Sequence, residues 1–297
     1  MIAVADLAQA RRFAPLLWNR YTEDLKRSVA EAPHRPHPEV WPAAGLHAAW
    51  LGHSTVLLHI DGFRILTDPV FSTRIGLGLG PFTLGIKRLV APALIAGQME
   101  PPDLILLSHA HMDHFDLPSL RALESRKTRV ITAAHTEDLL RTKGYRRVDQ
   151  LGWGDMTQQG DICIRAVEVN HWGARMRSDT HRGFNGYLIE TPRYRVLFGG
   201  DTAMTEAFRR VRSSRPVDLA IMPIGAYNPW IHAHCTPEQA LQMANDAGAD
   251  RILPVHHQTF QLSSEPSLEP IERLSAALGG TRERLALTEI GHEFHLV

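Results

Sequence analysis

Apolar and β-branched residues recur along this chain in short runs more than at helical spacing. GLHAAWLGHSTVLLHI (45–60) and FRILTDPVF (63–71) flank Asp61-Gly62, a favoured hairpin turn, so the folded region is expected to open with antiparallel strands. Further runs of strand length are DLILLS (103–108), RVITAA (129–134), ICIRAVEV (162–169), GYLIE (186–190), YRVLFGG (194–200), DLAIMPI (218–224) and RILPV (251–255). Helical signals are fewer. The clearest is Thr236-Pro237-Glu238-Gln239, where Thr caps, Pro occupies the first turn and Gln completes a capping box; a second helix is expected over 266–278. Near the start, Leu17, Tyr21, Leu25 and Val29 fall at helical spacing ahead of the proline-rich APHRPHPEVWP. Residues 1–40 therefore read as a helical arm and linker, and 41–297 as the main domain.

Composition narrows the class. A chain of 297 residues with 44% hydrophobic and 22% charged residues is an ordinary globular protein. Its 32 basic and 32 acidic residues cancel, so no overall field draws it to a polyanion and no nucleic-acid partner is expected. Cys163 and Cys235 are too few for a disulfide framework and read as packed thiols of an intracellular protein. The opening MIAVADLAQARRF lacks the pattern of a secretory signal, which points to the cytoplasm. IGLGLGPFTLGI (75–86) is far short of a bilayer span. It has two readings: buried packing, or a hydrophobic flap that meets acyl chains or a membrane surface, motivated by its glycines and the following Lys87-Arg88.

The chemistry emerges where polar residues meet strand ends. LILLS runs into His109, AVEVN into His171, VLFGG into Asp201 and ILPV into His256. Open sheets place ligand sites at the C-terminal edge of their strands, so one shared site is the economical reading. Within LSHAHMDHFD (107–116), His109 and His111 are two apart, and Asp113 and His114 follow one turn later. This is not the helical HExxH arrangement. Several imidazoles and carboxylates in one loop suit zinc and its neighbours and suggest more than one ion. Asp116, ahead of Leu117-Pro118, is the expected N-cap of the next helix.

HAHMDH resembles the HxHxDH signature of the metallo-β-lactamase superfamily, and the resemblance continues in order through Asp68, His171, the GGDT segment with Asp201, and His256. A closer resemblance is to the phospholipase D branch that hydrolyses N-acylphosphatidylethanolamines, carried by WLGHSTVLLHIDGFRILTDPVFS, the HxHxDH loop, NHW, FGGDT, PIGAY and VHHQTF. Ascorbate-phosphate lactonases are similar but more distant. The resemblance implies an α/β fold, a four-layer αββα sandwich of metallo-β-lactamase type, with a dinuclear metal centre at one edge. It implies that His109, His111 and His171 hold one ion, that Asp113, His114 and His256 hold the other, and that Asp201 bridges them. Two Zn2+ are expected, with iron or manganese as alternatives for a site that has no thiolate.

The same resemblance assigns Asp68 to an outer-shell contact that fixes a metal-bound histidine, and places His53 near the site. His234, with Tyr227, is expected at the substrate mouth, where it could bind a phosphate or protonate the leaving group. His257 should point away from its neighbour His256 and serve the rim or the outer shell. Asp113 could additionally orient a bridging hydroxide, the expected nucleophile. Five of the 17 histidines are thus read as ligands, and most of the other twelve as surface or satisfied core residues.

The function read from these residues is hydrolysis by a dinuclear metal centre, first of a phosphodiester, phospholipase D-like, on a small-molecule or lipid-like substrate. A lactonase or other carbonyl ester hydrolase is the alternative, since the same attack serves either centre. A β-lactamase ranks lower because Asp201 stands where the commonest class has a cysteine. An RNA nuclease ranks lower because the chain has no basic cluster. A non-enzymatic metal-binding regulator conflicts with seven ligands, since a structural zinc normally closes at four. Peripheral membrane contact and the oligomeric state stay open, the arm serving equally as lid or dimer contact.

Overall fold

A computed structural model describes residues 22, 24, 26–79, 82–140 and 143–297. Leu17, Tyr21 and Leu25 of the expected first helix lie outside the described residues, and Val29 is not helical. Seven strands form one sheet: β1 (Leu46–Gly52), β2 (Thr55–Ile60), β3 (Phe63–Thr67), β6 (Leu104–Leu107), β7 (Arg129–Ala133), β8 (Arg147–Leu151) and β15 (Glu293–Leu296), in the order β15-β1-β2-β3-β6-β7-β8. Six form the other: β9 (Met156–Gln159), β10 (Ile162–Val167), β11 (Gly186–Glu190), β12 (Arg195–Phe198), β13 (Val217–Pro223) and β14 (Ala249–Val255), in the order β14-β13-β12-β11-β10-β9. β4 (Arg74–Leu79) and β5 (Phe82–Lys87) make a separate hairpin.

The expected turn closes β2 onto β3, with Asp61 and Gly62 both at positive φ (48° and 89°) as a two-residue hairpin needs. Side-chain alternation then sorts the second sheet into two faces. Ile164, Tyr187, Ile189, Val196, Phe198, Leu219 and Ile221 join the core shared with the first sheet. Leu188, Leu197, Ala220 and Met222 instead pack against α2 (Pro237–Ala247) and α3 (Glu269–Leu278). The short α1 (Leu117–Ala122) adds Leu120 to the first-sheet core. This is the αββα sandwich expected from the sequence.

Both helix starts follow the predicted chemistry. Asp116 accepts from Ser119 N at the start of α1, and Thr236 with Gln239 forms a reciprocal capping box on α2. The strands that the apolar runs did not announce, β8, β9 and β15, are sheet edges. The 75–86 segment is the β4–β5 hairpin, in which Leu77 pairs with Leu84 and both are exposed. The basic pair that helped motivate the flap reading is engaged within the protein. Arg88 is 1% exposed, and Lys87 Nζ donates to the carbonyls of Asp24 and Arg27. Among the described residues no helix is long and apolar enough to cross a membrane.

Candidate metal centre

Strand direction brings the predicted residues to one place. β12, β13 and β14 are parallel, and β10 runs with them because both β10 and β12 are antiparallel to β11. In the other sheet β3, β6, β7 and β8 are parallel. The loops after β6, β10, β12 and β14 carry His109, His171, Asp201 and His256 toward one another. The two sheets are stitched there by the backbone bridge of His109 with Phe184 and by Asn185 N donating to Ser108 O (2.8 Å).

The loop after β6 is held from several sides. Ser108 N donates to Asp68 Oδ1 (2.7 Å), and Phe115 N returns to His111 O (2.8 Å). Arg175 Nη1 donates to Ala110 O and Phe115 O (3.0 and 2.8 Å), so one guanidinium closes the loop across its ends. The result is a first group of three imidazoles. His109 Nε2 lies 2.7 Å and His171 Nε2 3.3 Å from His111 Nδ1. Their outer nitrogens are fixed: His109 Nδ1 by Ser108 Oγ (2.8 Å), and His171 Nδ1 by Ala233 O (2.8 Å). A carbonyl only accepts, so His171 carries its proton on Nδ1 and turns the Nε2 lone pair inward.

A second group surrounds Asp201. Its Oδ2 is 3.1 Å from both His114 Nε2 and His256 Nε2, and 3.7–3.8 Å from His234 Nδ1 and His171 Nε2. Asp113 Oδ2 lies 3.6 Å from the Nε2 atoms of His114 and His256, and 3.2 Å from His53 Nε2. His53 is thus drawn further in than the sequence reading placed it, into a ligand-type group with Asp113, His114 and His256. Asp68 lies beneath His114: its Oδ2 is 2.7 Å from His114 Nδ1, and the same carboxylate receives Ser108 Oγ (2.5 Å). His53, Asp68 and His256 all hold positive φ, and Gly225 makes room for the last, since a Cβ there would lie 2.3 Å from His256 O.

Burial and charge divide these side chains into two kinds. Burial and neighbouring imidazoles hold His109 and His111 well below the usual histidine range, and burial lowers His171 to about 4, so the first group is neutral. In the second group burial is overcome by carboxylates. Asp201 and Asp113 raise His114 well above its ordinary value and His256 to about 9. The reverse holds for Asp201 and Asp113, where the facing imidazoles outweigh burial and keep both carboxyls ionised.

The donor set fits divalent metal. Buried polar atoms ordinarily find partners, yet His111 Nε2, His234 Nδ1, His256 Nδ1 and Asp201 Oδ1 have none within the protein. Three neutral imidazole nitrogens converge in one group, and imidazoles with ionised carboxylates meet in the other. These are the donors of zinc, iron and manganese sites that lack thiolate. His234 belongs with His171 and Asp201 in a further ligand-type group, closer to the centre than a mouth position.

Two residues expected near the rim have partners of their own. Tyr227 points its hydroxyl at Glu269 Oε1 (2.7 Å) under the Arg273 guanidinium. His257 is buried against Trp50 (ring centroids 4.6 Å), which leaves the outer-shell alternative of its expected place and not the rim. Sequence reasoning missed Arg175, which has no local motif, and Ser108, whose place directly before HAHMDH was the available signal. It also missed Trp172, whose ring sits 4.4 Å from His171 and 4.8 Å from His111. Cys235 is a free, buried thiol, and Cys163 is free in β10.

The pattern described as the Beta-lactamase superfamily domain matches residues 63–257, which include every candidate ligand except His53. The chain belongs to the beta-lactamase superfamily. With its superfamily relatives it is a metal-dependent hydrolase. An uncharacterised superfamily relative from Mycobacterium tuberculosis is 34% identical over 269 residues, 86% of this chain and 72% of that protein. The mitochondrial N-acyl-phosphatidylethanolamine-hydrolysing phospholipase D of Saccharomyces cerevisiae is 33% identical over 261 residues, 83% of this chain and 55% of that protein, so the chain spans about half the yeast protein's length. A metallo-hydrolase of the archaeon Ignicoccus hospitalis shares the fold, with a TM-score of 0.62 at 19% identity over 86% of this chain and 99% of that one.

Proposed function

We propose that the protein is a dinuclear metal-dependent phosphodiesterase of phospholipase D type. The observation that carries this reading is the 33% identity to a phospholipase D across 83% of the chain. His109, His111 and His171 would hold one ion, Asp113, His114 and His256 the other, and Asp201 would stand between them. Zinc is the ion we favour, and iron or manganese suits the same donors. When bound, such ions bring the pKa of a coordinated water down to about 7 and neutralise charge that builds on the substrate.

The chain's own residues supply position and proton control. Asp68 fixes the His114 ring, and Ala233 O fixes that of His171. His53 contacts the same Asp113 oxygen that faces His114 and His256, and so sets the direction of that carboxylate. His234 is neutral because burial lowers it well below the usual range. A neutral imidazole offers a substrate oxygen one N–H donor, and an arriving phosphate anion favours its protonation. In this reading residues 41–297 are the catalytic domain. The exposed Leu77–Leu84 pair of the β4–β5 hairpin suits a lipid-like ester.

Hydrolysis of a chromogenic phosphodiester, a lactone and a cephalosporin by the metal-loaded protein tests the assignment. The phosphodiester should be cleaved fastest. A preference for the lactone would overturn it in favour of a carbonyl ester hydrolase. Replacing Leu77 and Leu84 by Ser should slow hydrolysis of phospholipid in vesicles and spare the soluble diester; equal rates on vesicles would remove the lipid element.

A further inference from the structure

Several of the histidines read as bland from sequence are not scattered. His295, His47 and His59 lie directly opposite one another across β15, β1 and β2, with Trp41 against all three rings. Beside this row, His34 and His292 stack with ring centroids 4.0 Å apart, although 258 residues of chain separate them. Both turn Nε2 toward one carboxylate oxygen: Glu289 Oε2 is 3.0 Å from His34 Nε2 and 3.5 Å from His292 Nε2. The three ligand atoms all lie within 4.8 Å of one another. Tetrahedral zinc, with bonds of about 2.0–2.1 Å, separates its donors by roughly 3.3 Å, and the two carboxylate–imidazole separations, 3.0 and 3.5 Å, bracket that figure.

The backbone is built to allow this approach. His34 N donates to Ile290 O (3.3 Å). Gly291 sits at φ +90°, and a Cβ there would lie 1.9 Å from His34 O, so only glycine lets the segment before β1 pass this close to the turn before β15. The outer nitrogen of His292 faces Thr288 Oγ1 at 3.5 Å, on the side away from Glu289. An ion pair between Glu289 and one histidine needs only one imidazole.

We propose that His34, Glu289 and His292 form a second, solvent-accessible metal site that binds a zinc-like divalent cation and clasps the segment before β1 to the turn before β15. Water completes the coordination, because the cluster lies at the surface. The site supplies three protein ligands from two distant parts of the chain and shares none with the buried centre. Its role is structural: β15 is an edge strand of four residues, and the clasp secures it at its entrance. Trp41 Nε1 donating to Glu293 Oε1 (2.7 Å) and His37 N donating to the same oxygen (2.6 Å) already tie the two segments on the adjoining side.

The test uses tag-free full-length protein dialysed against Zn2+, with metal counted per chain for wild type, His34→Ala, Glu289→Gln and His292→Ala. Each variant should bind one ion fewer than wild type, lose the rise in thermal midpoint that added Zn2+ gives, and keep the wild-type rate of ester hydrolysis. Asp201→Asn should show the converse, keeping the surface ion while hydrolysis collapses. Equal metal content and an equal zinc-induced rise in the three surface variants and wild type would overturn the clasp and leave an ion pair only. Because Glu289→Gln removes one exposed charge and no packing, that outcome cannot be ascribed to misfolding.

Discussion

At the strand ends, His114, His234 and His256 face Asp113 and Asp201, with His109 and His111 beside them and almost no exposure, whereas His34, His292 and His295 lie in and beside the edge strand β15 with their rings partly in water. The residue types are the same and the energetics are not. Burying ionised carboxylates and imidazoles together costs several kcal/mol per ion unless each charge is met at close range, so the inner cluster is stable only as a set. The outer cluster keeps its hydration, and an exposed pair there is worth about 0–1 kcal/mol. An ion is therefore integral to the first region and an addition to the second. Removing single members should separate the two.

Chelation should have the largest effect. Stripping metal is expected to abolish ester hydrolysis, and returning Zn2+, Mn2+ or Fe2+ should restore it, the fastest restored rate naming the native metal. Next is Asp68→Asn. It removes the carboxylate that holds His114 and Ser108, and loss of such a contact costs about 10–100-fold in metal affinity or activity. Metal content and rate should fall together; a rate that falls with full metal loading would place Asp68 in the chemistry instead. Arg175→Ala leaves Ala110 O and Phe115 O without their donor, an expected loss of about 1–3 kcal/mol in urea unfolding, with a lower rate because the His109 to His114 loop loosens. An undiminished stability would mean that water replaces the guanidinium. The smallest effect belongs to His34→Ala without zinc, where stability should stay within about 0.5 kcal/mol of wild type.

What could be read in the sequence follows the same division between inside and edge. Central strands are buried on both faces, so their apolar runs stood out, and the polar residue that broke each run marked the site. His109, His171, Asp201 and His256 were legible for that reason. β8, β9 and β15 were not, because these edge strands carry few buried residues, unlike the edge strand β14; in β9 the pattern is MTQQ. Asp116 and Thr236 were legible because capping is local. Arg175, the depth of His53 and the meeting of His34 with His292 depend on contacts between distant segments. The contacts of Tyr227 were not legible because its charged partners, Glu265, Glu269 and Arg273, come from α3 and the segment leading into it.

The account rests on Asp201 joining two metal sites in the inner cluster. The most direct test is Asp201→Asn, with bound metal per chain and phosphodiester turnover measured on the same tag-free sample. The amide keeps the shape and removes the negative charge that His114 and His256 both face at 3.1 Å. The account predicts loss of metal from the inner cluster together with collapse of turnover, while the ion held by His34, Glu289 and His292 stays. Full inner metal loading with undiminished turnover would contradict it.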